Sequence, residues 1–92
     1  MMIQYFATIR GIAGRSHEEW SKPEETIGDL LRDLCEKYGE HFRRWLFTGD
    51  TFSQMCIVLV NGHDIRHLQG LNTPLAVNDT VGIFPPVAGG SC

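Results

Sequence analysis

Positive charge is scarce in this sequence: eight Lys and Arg stand against eleven Asp and Glu, for a formal charge of −3. Backbone-driven nucleic-acid binding needs clustered cations, and the longest cluster here is Arg43-Arg44, so nucleic acid is not an expected partner. Long apolar runs are missing too. Nothing approaches the roughly 20 residues that span a bilayer, and "MMIQYFATIR" has neither a basic leader nor a small-residue cleavage site, so neither membrane insertion nor secretion is expected. Cysteine is sparse and unpaired in pattern. Cys35, Cys56 and Cys92 show no CxxC spacing, which disfavours a disulfide framework or a zinc site and points to a reducing cytoplasm.

The residues that are present suit one small folded domain. Of 92 residues, 42% are hydrophobic, with five Phe, two Trp and two Tyr, enough to expect a packed core instead of disorder. "MIQYFATI" alternates as a strand would, placing Ile3, Tyr5 and Ala7 on one face and Gln4, Phe6 and Thr8 on the other. "RGIAGRS" breaks it as a loose loop, and "HEEWSKPEE" returns as a short second strand before Pro23. Thr26 then caps a helix that carries Asp29 in its first turn and stops at Gly39. Its stripe is Ile27, Leu30, Leu31, Leu34 and Tyr38. "EHFRRWLF" reads as a short second helix with Phe42, Trp45 and Leu46 inward, and "TGDTFSQM" as a loop. "CIVLV" is an apolar strand, Asn61-Gly62 a hairpin turn, "HDIRHL" the returning strand, and "DTVGIF" the last strand after a turn-rich connection. The order β-β-α-(α)-β-β-β implies an α+β domain over residues 1–86, a mixed sheet packed on one main helix. Its last strand can lie parallel to its first. Residues 87–92 form a separate C-terminal tail.

"YFATIRGIAG", "TIGDLL", "VLVNG" and above all "DTVGIFPPVAGG" resemble the ubiquitin-like sulfur carriers of the MoaD/ThiS family. The resemblance runs from about Ile3 to Gly90 and leans toward the small subunits of molybdopterin synthase. It implies a β-grasp fold and a reactive C-terminus. In that family a ubiquitin-activating-type adenylating enzyme spends ATP on the terminal glycine carboxylate, and a sulfur donor converts the adenylate to a thiocarboxylate. The tail then enters the large subunit of molybdopterin synthase and gives sulfur to a pyranopterin. A sister branch serves thiamin synthesis. The resemblance therefore marks Gly90, with Gly89, as the carrier of the reactive group. ATP belongs to the activating enzyme, and no cofactor or metal is implied for the chain itself.

The residue types fit that chemistry. Pro85 and Pro86 end the last strand, since proline cannot donate to a ladder. Val87 to Gly90, if extended, reach about 13 Å. Gly89 and Gly90 lack a Cβ and suit a narrow channel; a frayed tail is the competing reading. With Val81 and Ile83 turned inward, Phe84 faces out beside Phe6, forming an apolar docking patch with Pro85, Pro86 and Val87 near it. Cover by the second helix or a loop is the alternative. Arg10 beside the patch can pair with a partner carboxylate or stay solvated. His63 and His67 lack the Glu of an HExxH site and read as surface residues. Cys35 and Cys56 read as small core residues.

Ser91 and Cys92 depart from the family pattern, in which the mature chain stops at the second glycine. Gly90's carbonyl is tied up in an amide here. A protease that cuts after Gly90, a relative that keeps only binding, and residues added on purpose to block the tail are the three explanations. A ubiquitin-like modifier joined through Gly90 to a lysine is the alternative function, because both fates share the adenylate.

Overall fold

A computed structural model describes residues 1–86. Strands β1 (Met2–Tyr5), β2 (His17–Glu19), β5 (Ile57–Val60), β6 (His63–Asp64) and β7 (Thr80–Phe84) form one sheet in the order β2-β1-β7-β5-β6. β1 and β7 run parallel at its centre, with Ile3 opposite Val81 and Tyr5 opposite Ile83; the other neighbours are antiparallel. The long connection that parallel strands require is supplied mainly by α2 (Ile27–Tyr38). Thr26 Oγ1 accepts from Asp29 N at 3.2 Å to start that helix, and Gly39, at φ 88°, ends it. α2 lays Ile27, Leu30, Leu31 and Leu34 on the sheet's inner face, where Ile3, Tyr5, Val58, Val60, Val81 and Ile83 meet them, all buried. The short α3 (Glu40–Leu46) closes one end with Phe42 and Leu46, while Trp45 is only half-buried against the core.

The sequence expectation fails at four places, each for a local reason. β1 stops at Tyr5 because Ala7 takes a positive φ of 56° and turns the chain. Ala7 is exposed. The stretch read as a loop is helix α1 (Thr8–Ala13), ended by Gly14 in the left-handed conformation. Ile9 is fully buried and Ile12 and Ala13 pack beside it, a helical spacing masked by the two glycines. The stretch read as one loop before the apolar strand contains a tight hairpin, β3 (Phe47–Thr48) with β4 (Thr51–Phe52), whose Phe rings meet edge to face at 5.8 Å. The returning strand after Asn61-Gly62 lasts only two residues. Asp64 Oδ1 then accepts from Arg66 N at 2.9 Å and starts a 3-10 turn, Ile65–His67, that sinks Ile65 into the core.

One buried carboxylate ties the edge strand to the helix. Glu18 of β2 is 5% exposed and sits on the inner face. Its Oε1 accepts from the Tyr5 hydroxyl at 2.7 Å and the Tyr38 hydroxyl at 2.5 Å, and its Oε2 from Lys37. Burial pushes the carboxyl pKa up, but the bonds from Lys37, Tyr38 and Tyr5 together outweigh burial and hold it below the ordinary glutamate range. Burial first, then the bond to Glu18, raises both tyrosine hydroxyls. A carboxyl depressed in the folded state stabilises fully above its unfolded value, about 4.3, and loses that contribution as pH falls through the lower folded value. Glu18→Gln is therefore expected to lower unfolding free energy near neutrality by about 1–3 kcal/mol. In urea titrations run at several pH values, the gap to the unmodified protein should narrow as the pH falls below 4.3. A gap that widens in acid would mean that Glu18 is not held as a carboxylate.

Candidate docking face and tail root

The outward side of the sheet is built by the residues that alternate with the core set. Met2 and Gln4 of β1, Thr80, Gly82 and Phe84 of β7, and Ile57 and Leu59 of β5 share it, because Met2 lies opposite Thr80, Leu59 opposite Gly82 and Ile57 opposite Phe84. Phe6 follows β1 on that side, its N–H donating to Ile83 O at 3.2 Å. The Phe6 and Phe84 rings stack at 4.0 Å with planes 6° apart. Both are half-buried. Gly82 lies against the pair: a Cβ there would stand 3.5 Å from each ring, an ordinary contact. Neither α3 nor the β3–β4 hairpin supplies a cover, since α3 turns Phe42 and Leu46 into the core on the far face.

The expected pair is therefore the centre of a longer apolar strip. Ile57, 41% exposed, continues it across β5, and Met55, 72% exposed, lies in the loop just before. Ile57 was missed in the sequence because "CIVLV" is apolar throughout and gives no alternation to assign a face, which only its register against β7 does. Met55 was missed because it fell in a stretch read as loop. Arg10 is exposed on α1, its Nε donating to Tyr5 O at 3.4 Å. With Phe6, Gln4 and His17 it rims a depression of about 360 Å³. Of the two prolines expected in the patch, Pro85 is buried and Pro86 is half-buried in the free chain. Val87, Gly89 and Gly90 lie outside the described residues.

The remaining reactive side chains are quiet. Burial pushes the Cys35 thiol up to about 11 and the Cys56 thiol up to about 12, the opposite of what a nucleophile needs. His63 and His67 are both exposed, and no group of three or more His, Cys, Asp or Glu among the described residues could hold a metal ion. No helix among the described residues is long and apolar enough to cross a membrane. The arrangement offers an apolar face for another protein and a strand that ends close to it.

Comparison with known proteins agrees with this geometry. The model of the ThiS family matches residues 3–90. Small archaeal modifier protein 3 of Haloferax volcanii is 37% identical over 89 residues, covering 96% of each chain. The solution structure of small archaeal modifier protein 1 from Methanosarcina acetivorans aligns with a TM-score of 0.82 at 35% identity, over 97% of this chain and 94% of that one. A Pyrococcus furiosus structure named "Putative molybdopterin converting factor, subunit 1" aligns at 0.70 and 28% identity, over 94% and 95% of the two chains. With a ubiquitin-like β-grasp fold and a family match that runs through the last strand to Gly90, the chain belongs to the ThiS family of ubiquitin-like proteins.

Proposed function

We propose that this chain is a sulfur carrier, the small subunit of a molybdopterin synthase, and that it works once Ser91 and Cys92 have been removed. The observation that carries the reading is the layout of the last strand. Phe84 sits in the apolar strip on the outer face, β7 ends there, and only three residues separate Pro86 from Gly90. A partner that covers the strip is close enough to receive an extended tail of that length. The family match stopping at Gly90 supports the same endpoint.

The chemistry follows from the terminal group. A free Gly90 carboxylate attacks the α-phosphate of ATP in an activating enzyme, and pyrophosphate leaves. A sulfur donor then displaces AMP, giving a thiocarboxylate that passes sulfur to a pterin substrate in the large subunit. While Gly90 is linked to Ser91, its carbonyl is an amide and the first step has no nucleophile. Processing by a protease is thus part of the proposal. A second reading, a modifier joined through Gly90 to lysines of other proteins, is favoured by the modifier named at 37% identity. The two diverge only after the adenylate, when either sulfide or an amine takes the acyl group.

Two measurements test this. The intact mass of the protein from its native cells should correspond to a chain ending at Gly90, with a fraction heavier by sulfur in place of oxygen. A population ending wholly at Cys92 would remove the carrier role, and lysine-linked adducts without thiocarboxylate would select the modifier. In the second, Phe84→Asp should weaken binding to the activating enzyme by about tenfold or more in titration calorimetry while circular dichroism stays native. Unchanged affinity would take the outer strip out of the docking face, and loss of the native spectrum would make Phe84 a structural residue.

A further inference from the structure

Among the described residues, the large apolar side chains that stand well exposed are Met55, Ile57, Leu68 and Val77. Of these, Met55 alone carries a sulfur atom. It lies in the turn between β4 and β5, and its backbone is pinned on both sides. Met55 N donates to Ser53 Oγ at 3.2 Å, and Cys56 N donates to Ser53 O at 3.3 Å. Cys56 is fully buried, while Met55 is 72% exposed. The turn thus holds the thioether out in water. Two residues on, Ile57 stands opposite Phe84, whose ring stacks on Phe6. Two residues of chain span at most about 7 Å, so Met55 borders the outer strip.

The other sulfur atoms of the described residues are placed differently. Met1 is 9% exposed. Met2 is half-buried at the start of β1, opposite Thr80 and at the other end of β7 from Phe84. Cys35 and Cys56 are held as neutral thiols, because burial pushes both well up, and the thiolate is the form that reacts.

We propose that Met55 is an oxidation site that controls docking: a hydroperoxide converts its thioether to the sulfoxide, and the modified chain binds its partner more weakly. The effect on binding rests on the reading of the outer strip as the docking face. In the step itself Met55 Sδ attacks the terminal oxygen of the hydroperoxide and an S–O bond forms. The O–O bond breaks with its electron pair on the departing oxygen, which takes up the hydroperoxide's proton and leaves as water or an alcohol. Sulfur is oxidised and the peroxide is reduced, with no further reactant.

The sulfoxide turns a flexible apolar side chain into a polar one without adding net charge. In the free chain its oxygen is hydrated, and the fold is untouched because Met55 is outside the core cluster. Under a partner the same oxygen has to shed its water against apolar surface, which is unfavourable unless a donor meets it. The docked state is weakened and the free state is not. Thiol-dependent reduction of the sulfoxide restores the original surface.

The test treats the full chain with limiting hydrogen peroxide, then with dithiothreitol to reverse disulfides and sulfenic acids, and removes both by desalting. Peptide mass spectrometry should show Met55 oxidised at least about fivefold faster than Met1 in the folded protein, with the ratio approaching one in guanidinium chloride. Equal rates in the folded state would overturn the proposal. In titration calorimetry against the activating enzyme, the oxidised chain should bind about tenfold more weakly, and methionine sulfoxide reductase should restore the affinity. Met55→Leu, compared with itself before and after peroxide, should lose none. Unchanged affinity of the oxidised chain, or an equal loss in Met55→Leu, would remove Met55 as the control point. Phe84→Asp separates the two readings. If it alone weakens binding, the docking face stands and the oxidation site fails; if it binds as the unmodified chain does, the docking face itself has failed.

Discussion

Parallel pairing of β1 with β7 is the constraint from which the functional face follows. These strands occupy the middle of the sheet, and their register sets Ile3 against Val81 and Tyr5 against Ile83 on the inner side. The residues between and beyond them, Gly82, Phe84 and Phe6, have no choice but the outer side. A slip of one residue would carry the phenylalanines into the core and expose two buried isoleucines and a valine. The core therefore orients the docking strip without any contact dedicated to that purpose. α2 makes the pairing possible by spanning the crossover, and the connection through residues 70–75 fastens that helix: Ile27 N donates to Thr73 O at 3.0 Å, and a Cβ on Gly28 would stand only 3.1 Å from Leu71 O.

The strands and α2 were legible because their signals are local. Thr26, Gly39 and the leucine stripe delimit α2 within the helix itself, and Val81 and Ile83 alternate with Phe84 within one strand. The missed elements depend on information that a periodicity does not carry. Gly11 and Gly14 made residues 8–13 look like a linker, yet Gly14 is the helix's own cap and Ile9, Ile12 and Ala13 supply its buried side. The β3–β4 hairpin turns on Gly49 at φ 62°, and its two-residue strands are too short to show alternation. The site divides in the same way. Phe6 and Phe84 could be placed by counting along strands, whereas Ile57 joins the strip only through its register with Phe84, and the burial of Pro85 depends on tertiary contacts.

Glu18 shows how the opposite side of the molecule is organised on another principle. β2 is three residues long and lies at the sheet's edge, a position that two or three backbone bonds alone hold weakly. The Glu18 carboxylate gathers Tyr5 from the neighbouring strand and Lys37 and Tyr38 from the end of α2, so edge strand, central strand and helix share one polar junction. Such a junction costs desolvation and is worthwhile only when fully satisfied. No buried side-chain nitrogen or oxygen among the described residues lacks a hydrogen-bond partner. The apolar strip and this junction share no residue.

The division of labour between globule and tail is then a matter of chemistry as well as shape. A carboxylate that is to be adenylated must leave water for a nucleotide site, and glycine at the end removes the side chains that would block its approach. On the proposed function, the loss of freedom on threading such a tail has to be offset elsewhere, and the outer strip is the apolar area that would do so. Ser91 and Cys92 interrupt this arrangement at one bond. On that proposal, with them in place the strip would still bind while Gly90 presents an amide, so recognition and reactivity would be separable properties of the same chain. A single proteolytic cut would join them, which makes the peptide bond after Gly90 the natural point at which to control when a docked chain becomes a reactive one.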